Sequence, residues 1–152
     1  DMMSFYGRRE MFWLYPIECS DAVQRVNSIG QELDLKREPD GIDKYGHFFR
    51  SDHFTFNARE VPTFTIGLGG KYLTMSEDEI AEIRKQVGQL YHQPNDEVYS
   101  WFRYDGVLQE LKVLYHLGSF YANQGEKPNF KPENPYNAAK RIIRIKQVKG
   151  IY

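Results

Sequence analysis

The chain has 152 residues, the size of one domain, and its 41% hydrophobic and 15% aromatic side chains are enough for a packed core and exclude wholesale disorder. A formal charge of -1 offers no basic surface for nucleic acid, and the single cysteine, Cys19, excludes an intrachain disulfide and a cysteine-rich zinc knot. No apolar run approaches the roughly 20 residues of a membrane span.

Asp1 to Ser4 read as the end of a buried strand, followed by a turn at Gly7 to Glu10 and a second strand at Met11 to Ile17. The near-continuous hydrophobicity of that second run suits a strand covered on both faces in an α/β sheet. Ser20 or Asp21 then caps a helix whose apolar positions, Ala22, Val23, Val26, Ile29, Gly30 and Leu33, recur at helical spacing. From Asp34 to Gly46 the charges, with Pro39, Asp40 and Gly41, predict a short strand and a loop. His47 to Arg50 run into Arg50-Ser51-Asp52-His53, expected at the carboxyl edge of the sheet, where ligands gather in open α/β folds. Asp52 either caps a short helix reaching Asn57 or Arg59, or supports a site by hydrogen bonding; the two roles are compatible. Val61 and Pro62 lead into a strand at Thr63 to Ile66. Gly67, Leu68, Gly69 and Gly70 then read as a loop whose backbone lets a substrate approach closely. Their spacing is not that of a phosphate-binding loop.

Ser76 and Glu79 have capping-box spacing, and with Ile80, Ile83 and Val87 they predict a helix from Glu77 to Gly88. Next come Tyr91, His92, Gln93, Pro94, Asn95, Asp96 and Glu97, read as a strand-to-helix junction. Pro94 holds Gln93 out of helical geometry, so the His92 ring projects from an extended loop. A neutral imidazole is a common metal ligand and needs a partner for its second nitrogen, which Asp96 would supply; the alternative is a histidine that decorates a turn. Val98, Tyr99, Trp101, Phe102 and Tyr104 line a pocket or pack on the sheet. Asp105 caps the longest helix, whose stripe of Val107, Leu108, Leu111, Leu114, Tyr115, Gly118 and Tyr121 is expected against the sheet, with Lys112 and His116 away from its centre. Pro128, Pro132 and Pro135 mark an extended arm, and Asn137 to Tyr152 a terminal helix or tail. There is no internal repeat.

The order of the pieces carries more than any one of them. An R-S-D-H-x-x-F segment at Arg50 to Phe56, a Val-Pro strand, Y-H-x-P-x-D-E at Tyr91 to Glu97 and a long amphipathic helix together resemble the C-terminal half of the M28 family of zinc-dependent aminopeptidases. Asp1, Met2 and Met3 are similar to the end of that family's N-x-D-M motif, whose aspartate binds metal. The resemblance covers residues 1–122, with 123–152 as an arm and tail of the same domain. It implies a three-layer α/β sheet with helices on both faces, the zinc-exopeptidase (phosphorylase/hydrolase-like) fold, with its first strands upstream of residue 1. It implies a metal-activated water that cleaves N-terminal peptide bonds, with zinc as cofactor and two ions in the complete protein.

Within that resemblance Asp1 ligates one ion and His92 the other. The family's first histidine, its bridging aspartate and its Glu-Glu pair have no counterpart here. Tyr91 matches a tyrosine that steadies the oxyanion in several relatives, or is an ordinary strand-end aromatic. Arg50, Asp52, His53, Gly69 and Asp96 stand beside the substrate or behind the ligands; relatives do not use the histidine matching His53 as a ligand. Two ligands cannot hold two ions, and the water lacks its base, so the 152 residues alone are expected to be inactive. Partners are a peptide substrate and either the missing N-terminal half of the domain or an oligomeric partner covering exposed sheet edges. A secreted or periplasmic location follows from the resemblance only. A glutaminyl-cyclase-like single-zinc cyclotransferase, a non-catalytic receptor or assembly domain, and an unrelated binding module remain as alternatives.

Overall fold

A computed structural model describes residues 3–125, 127–132, 134 and 149–150. Asp1 and Met2, and the expected C-terminal tail apart from residues 149–150, lie outside these.

The apolar run after the first turn becomes strand β1 (Arg9–Tyr15), the centre of a three-stranded sheet. Helix α1 (Val23–Glu32) carries the chain back to the short β2 (Lys36–Arg37), which pairs with β1 in parallel. Strand β3 (Thr65–Tyr72) lies antiparallel on the other side, giving the order β2-β1-β3. Side chains alternate across a strand. Phe12 and Leu14 of β1, opposite Leu68 and Ile66 of β3, therefore share one face. On that face α1 brings Ala22, Val26 and Ile29, and the long helix α4 (Tyr104–Gln124) brings Val113 and Leu117, closing the core. Burying an aliphatic or aromatic side chain of this size contributes about 1.5–3 kcal/mol, so this cluster is the main source of stability. Helix α1 comes close to the entry of β2 at Gly30, where a Cβ would stand 2.8 Å from the Leu35 carbonyl.

Ser20 and Asp21 do more than start α1. The Ser20 hydroxyl accepts from the Ala22 amide, but the helix has no side-chain cap at Ala22. Both residues, together with Cys19, hold the arm that follows α4: the Ser20 hydroxyl donates to the Asn129 carbonyl (2.9 Å), the Asn129 amide donates to the Asp21 carboxylate (2.9 Å), and the Lys131 amide donates to the Cys19 carbonyl (2.8 Å).

The mixed α/β class is as expected, and four local features differ. Residues 3–4 lie outside any strand. The helices that enclose the core, α1 and α4, lie on one face; the other carries Trp13 and the loop between residues 38 and 53. Gly67, Gly69 and Gly70 form no loop but sit inside β3, which continues to Tyr72. The reason is steric: a Cβ at Gly67 would fall under 3.0 Å from the Trp13 indole, so the glycines let that ring lie across the strand. Gly70, at φ +72°, accompanies the irregular register between Arg9 and Met11.

The fourth difference is the face on which α4 packs. Its buried positions are Gly106, Gln109, Glu110, Val113 and Leu117, whereas Leu108, Leu111 and Tyr115 are 57%, 47% and 74% exposed. Helix α4 is apolar on two sides, and polar contacts choose between them. Gln109 accepts from the Arg9 amide (3.0 Å) and donates to the Arg9 carbonyl (2.8 Å). Glu110 accepts from the Ser4 amide (2.7 Å) and hydroxyl (2.5 Å). Gly106 leaves room for the carbonyls of Ser4 and Gly7, which a Cβ would meet at under 3.0 Å. Asp105 lies inside the first turn instead of capping it; the cap position is Arg103.

Candidate functional site

The Tyr91–Glu97 loop leaves a helix, not a strand. Helix α3 (Glu77–Leu90) begins with the expected capping box: the Ser76 amide and hydroxyl donate to the Glu79 carboxylate (both 2.8 Å), and the Glu79 amide donates back to the Ser76 hydroxyl (3.3 Å). It ends at Tyr91, whose amide still donates to the Val87 carbonyl. His92 then takes the left-handed conformation at φ +61°, which breaks the helix and is uncommon for a residue other than glycine. Its ring stacks on that of Tyr91, centroids 3.9 Å apart and planes within 22°. Tyr91 is half exposed and His92 exposed, but residues 91–95 form turns and a bend and not the extended loop expected from Pro94, because the left-handed turn at His92 folds the chain back on the end of the helix. Asp96, also exposed, closes a turn through its amide to the Gln93 carbonyl (3.0 Å); among the described residues no hydrogen bond joins its carboxylate to His92.

The far end of this loop is fastened to the start of the chain. The Tyr99 hydroxyl donates to the Asn95 carbonyl, and the Tyr99 ring stacks on Trp101 at 5.4 Å. Phe102 stacks on Phe5 at 4.8 Å, the Arg103 amide donates to the Phe5 carbonyl (2.9 Å), and Tyr6 bridges Arg103 in parallel. Trp101 and Phe102 therefore pack against the N-terminal segment, while Val98 and Tyr104 are exposed. Phe5 stands four positions after Asp1; Asp1 itself lies outside the described residues.

The Arg50-Ser51-Asp52-His53 group stands elsewhere. Short helix α2 (His53–Asn57) starts at Asp52, which occupies the cap position but makes no capping hydrogen bond, its backbone already being helical at φ -58°, ψ -34°. Arg50 and Asp52 are exposed. The His53 ring lies 4.7 Å from that of Phe48, with the Thr65 hydroxyl 3.4 Å from its nitrogens. Burial pushes its pKa down, against the pull of Asp52. This is the Tyr15–Thr65 end of the sheet. Tyr6 meets Tyr72 at the Arg9–Tyr72 end. At about 3.3 Å per residue, the His53 group and the N-terminal anchor of the His92 loop are separated by roughly 20 Å along β1.

His53 borders an open cavity of about 410 Å³ that also takes in Trp13, Glu38, Asp40, Asp43 and Phe48. The Asp43 carboxylate accepts from the amides of His47 (3.0 Å) and Phe48 (2.9 Å), and the Phe48 amide above all holds its pKa down. Asp40 accepts from the Glu18 amide (2.9 Å), yet burial outweighs that bond and raises its pKa. Sequence reasoning passed over Trp13 and Glu38. The one signal was the pair of glycines at alternate positions of β3, since Gly67 makes room for the indole, and a Cβ at Gly69 would meet the Glu38 carboxylate at under 3.0 Å. Gly69 is thus buried beneath these two side chains.

Among the described residues no group of three or more His, Cys, Asp or Glu comes together to hold a metal ion. His92 is a single exposed donor, so these residues do not by themselves fit a zinc centre. No described helix is long and apolar enough to cross a membrane.

The family model described as peptidase family M28 matches residues 1–108. Comparison with curated proteins and with solved structures gives no match.

Proposed function

Because this chain belongs to peptidase family M28, we propose that it contributes two ligands, Asp1 and His92, to a zinc-dependent aminopeptidase of two metal ions. The observation that supports this most is the fastening of Phe5 and Tyr6 to the far end of the His92 loop through Phe102 and Arg103. That contact draws the segment after Asp1 toward the element that carries the imidazole. Tyr91, half exposed beside His92, is the proposed donor to the substrate carbonyl oxygen as negative charge develops there. Asp96 is left to orient the loop. Of the other candidates, His53 lines the cavity at the opposite end of β1, with Arg50 and Asp52 exposed beside it and Gly69 beneath the Trp13 and Glu38 side chains. An exported location, secreted or periplasmic, belongs to the same reading.

The remaining ligands and the general base have no candidates among the described residues, so the 152-residue chain is expected to be inactive on its own. Assayed on aminoacyl anilides with and without added zinc, it should show no metal-dependent turnover; clear turnover would show the ligand set to be wrong. In a protein that carries the complete ligand set, His92→Ala should abolish turnover and lower the zinc content. Full activity with unchanged zinc would remove His92 from the site.

A further inference from the structure

The glycines of β3 have a consequence apart from the metal question. Gly67 and Gly69 lie on the face of the sheet away from the core, opposite Trp13 and Met11. Because neither has a side chain, the Trp13 indole settles over Gly67, and the Glu38 carboxylate comes down over Gly69 close to the indole edge. An aromatic ring and an acid are thereby held side by side at the wall of the 410 Å³ cavity. Tyr15, Tyr45 and Phe48 add further aromatic lining.

The acids of this cavity are not equivalent. Asp43 is committed to the amides of His47 and Phe48, and its Oδ1 also lies 3.3 Å from the His47 imidazole. Asp40 uses one oxygen on the Glu18 amide, while its other oxygen is shut from solvent without a hydrogen-bond partner. Glu38 is exposed, and among the described residues its carboxylate makes neither hydrogen bond nor ion pair. Lys44 lines the same cavity but forms no ion pair with these acids among the described residues. A ring face attracts a cation, and a carboxylate beside it supplies the counter-charge, an arrangement suited above all to the planar guanidinium group.

We propose that this cavity binds a basic side chain, with Trp13 as the stacking surface, Glu38 as the direct ionic partner and Asp40 as a second, more deeply set acid behind it. That the side chain belongs to a peptide rests on the peptidase reading; the preference for a cation rests on the cavity alone. The GLGG run then serves ligand binding indirectly, by seating Trp13 and Glu38 and not by exposing its own backbone.

The test is a titration of the 152-residue chain with arginine amide and with norleucine amide, which share an α-amine and differ in the side chain. The readout is the Trp13 indole N–H resonance, assigned with the Trp101→Phe variant because the chain has only two tryptophans. Arginine amide should shift this resonance saturably in the millimolar range, and norleucine amide should not. Glu38→Gln should weaken arginine amide about 2- to 5-fold, as expected for one partly exposed ion pair. Glu77→Gln, on the distant α3, should leave it unchanged. Equal shifts by the two amides, no shift by arginine amide, or full affinity in a folded Glu38→Gln variant would each overturn the proposal. None of these readouts depends on turnover, so failure of the peptidase reading would leave the binding result standing.

Discussion

Gly67 and Glu110 show how single residues decide this structure. A methyl group at Gly67 would enter the Trp13 indole, so Gly67→Ala should cost about 1–3 kcal/mol in denaturant unfolding, the usual range for overpacking. In a Trp13→Ala background that cost should nearly vanish; an unchanged cost would mean that backbone strain, not the ring, sets it. Glu110 is buried and its pKa is raised above 4.5, foremost by burial, against the pull of the Ser4 hydroxyl and amide. The folded chain therefore holds a proton that the unfolded chain has released. Stability from this group falls as pH rises from the unfolded value through the folded one and is level above both. Asp40 has the same sign. Glu110→Gln should remove its share of that decline while keeping a hydrogen bond to Ser4, measured as the unfolding midpoint against pH; an identical slope would place the titration elsewhere.

Among the elements, α3 was the most readable. Its capping box, acidic first turn and Ile80–Ile83 spacing are all local signals, and the helix forms where they place it, running two residues further to Leu90. Ser76→Ala should cost about 1 kcal/mol and loosen the first turn, detectable by amide exchange at Asp78 and Glu79, whereas Ser76→Thr should retain most of the stability. Helix α4 was equally readable as a helix but not in its orientation. Gln109 and Glu110 look outward to any rule that sorts residues by polarity. They point inward because the backbone at Ser4 and Arg9 offers them hydrogen bonds that no local pattern reveals.

For the whole molecule, the consequence of that orientation is an apolar stripe left in solvent. Leu108, Leu111 and Tyr115, three and four residues apart, line the exposed side of α4, the kind of continuous patch that promotes association. Replacing Leu108 and Leu111 together by Gln should change unfolding free energy by no more than about 0.5 kcal/mol and reduce concentration-dependent light scattering. A large loss of stability would instead show that these leucines are packed. At this scale the candidate site is also divided: the His53 cavity lies near the Tyr15–Thr65 end of β1, and the N-terminal anchor of the His92 loop lies near the Arg9–Tyr72 end.

The sequence by itself determined the family, through the order of Arg50-Ser51-Asp52-His53 and Tyr91-His92-Gln93-Pro94, and it determined the elements whose signals lie within one or two turns of themselves, such as α1 and α3. It also announced a non-helical histidine loop before Pro94, but not that the loop is a run of turns begun by the left-handed His92. Tertiary structure alone decided which face of α4 is buried, that GLGG is strand and not loop, and that Phe5 meets Phe102. Each of those depends on groups 50 to 110 positions apart competing for the same space or the same hydrogen bond. Glycine in particular is silent in sequence about why it is needed: the reason for Gly67 is the ring of Trp13, fifty-four residues earlier, and only the pairing of β1 with β3 brings the two together.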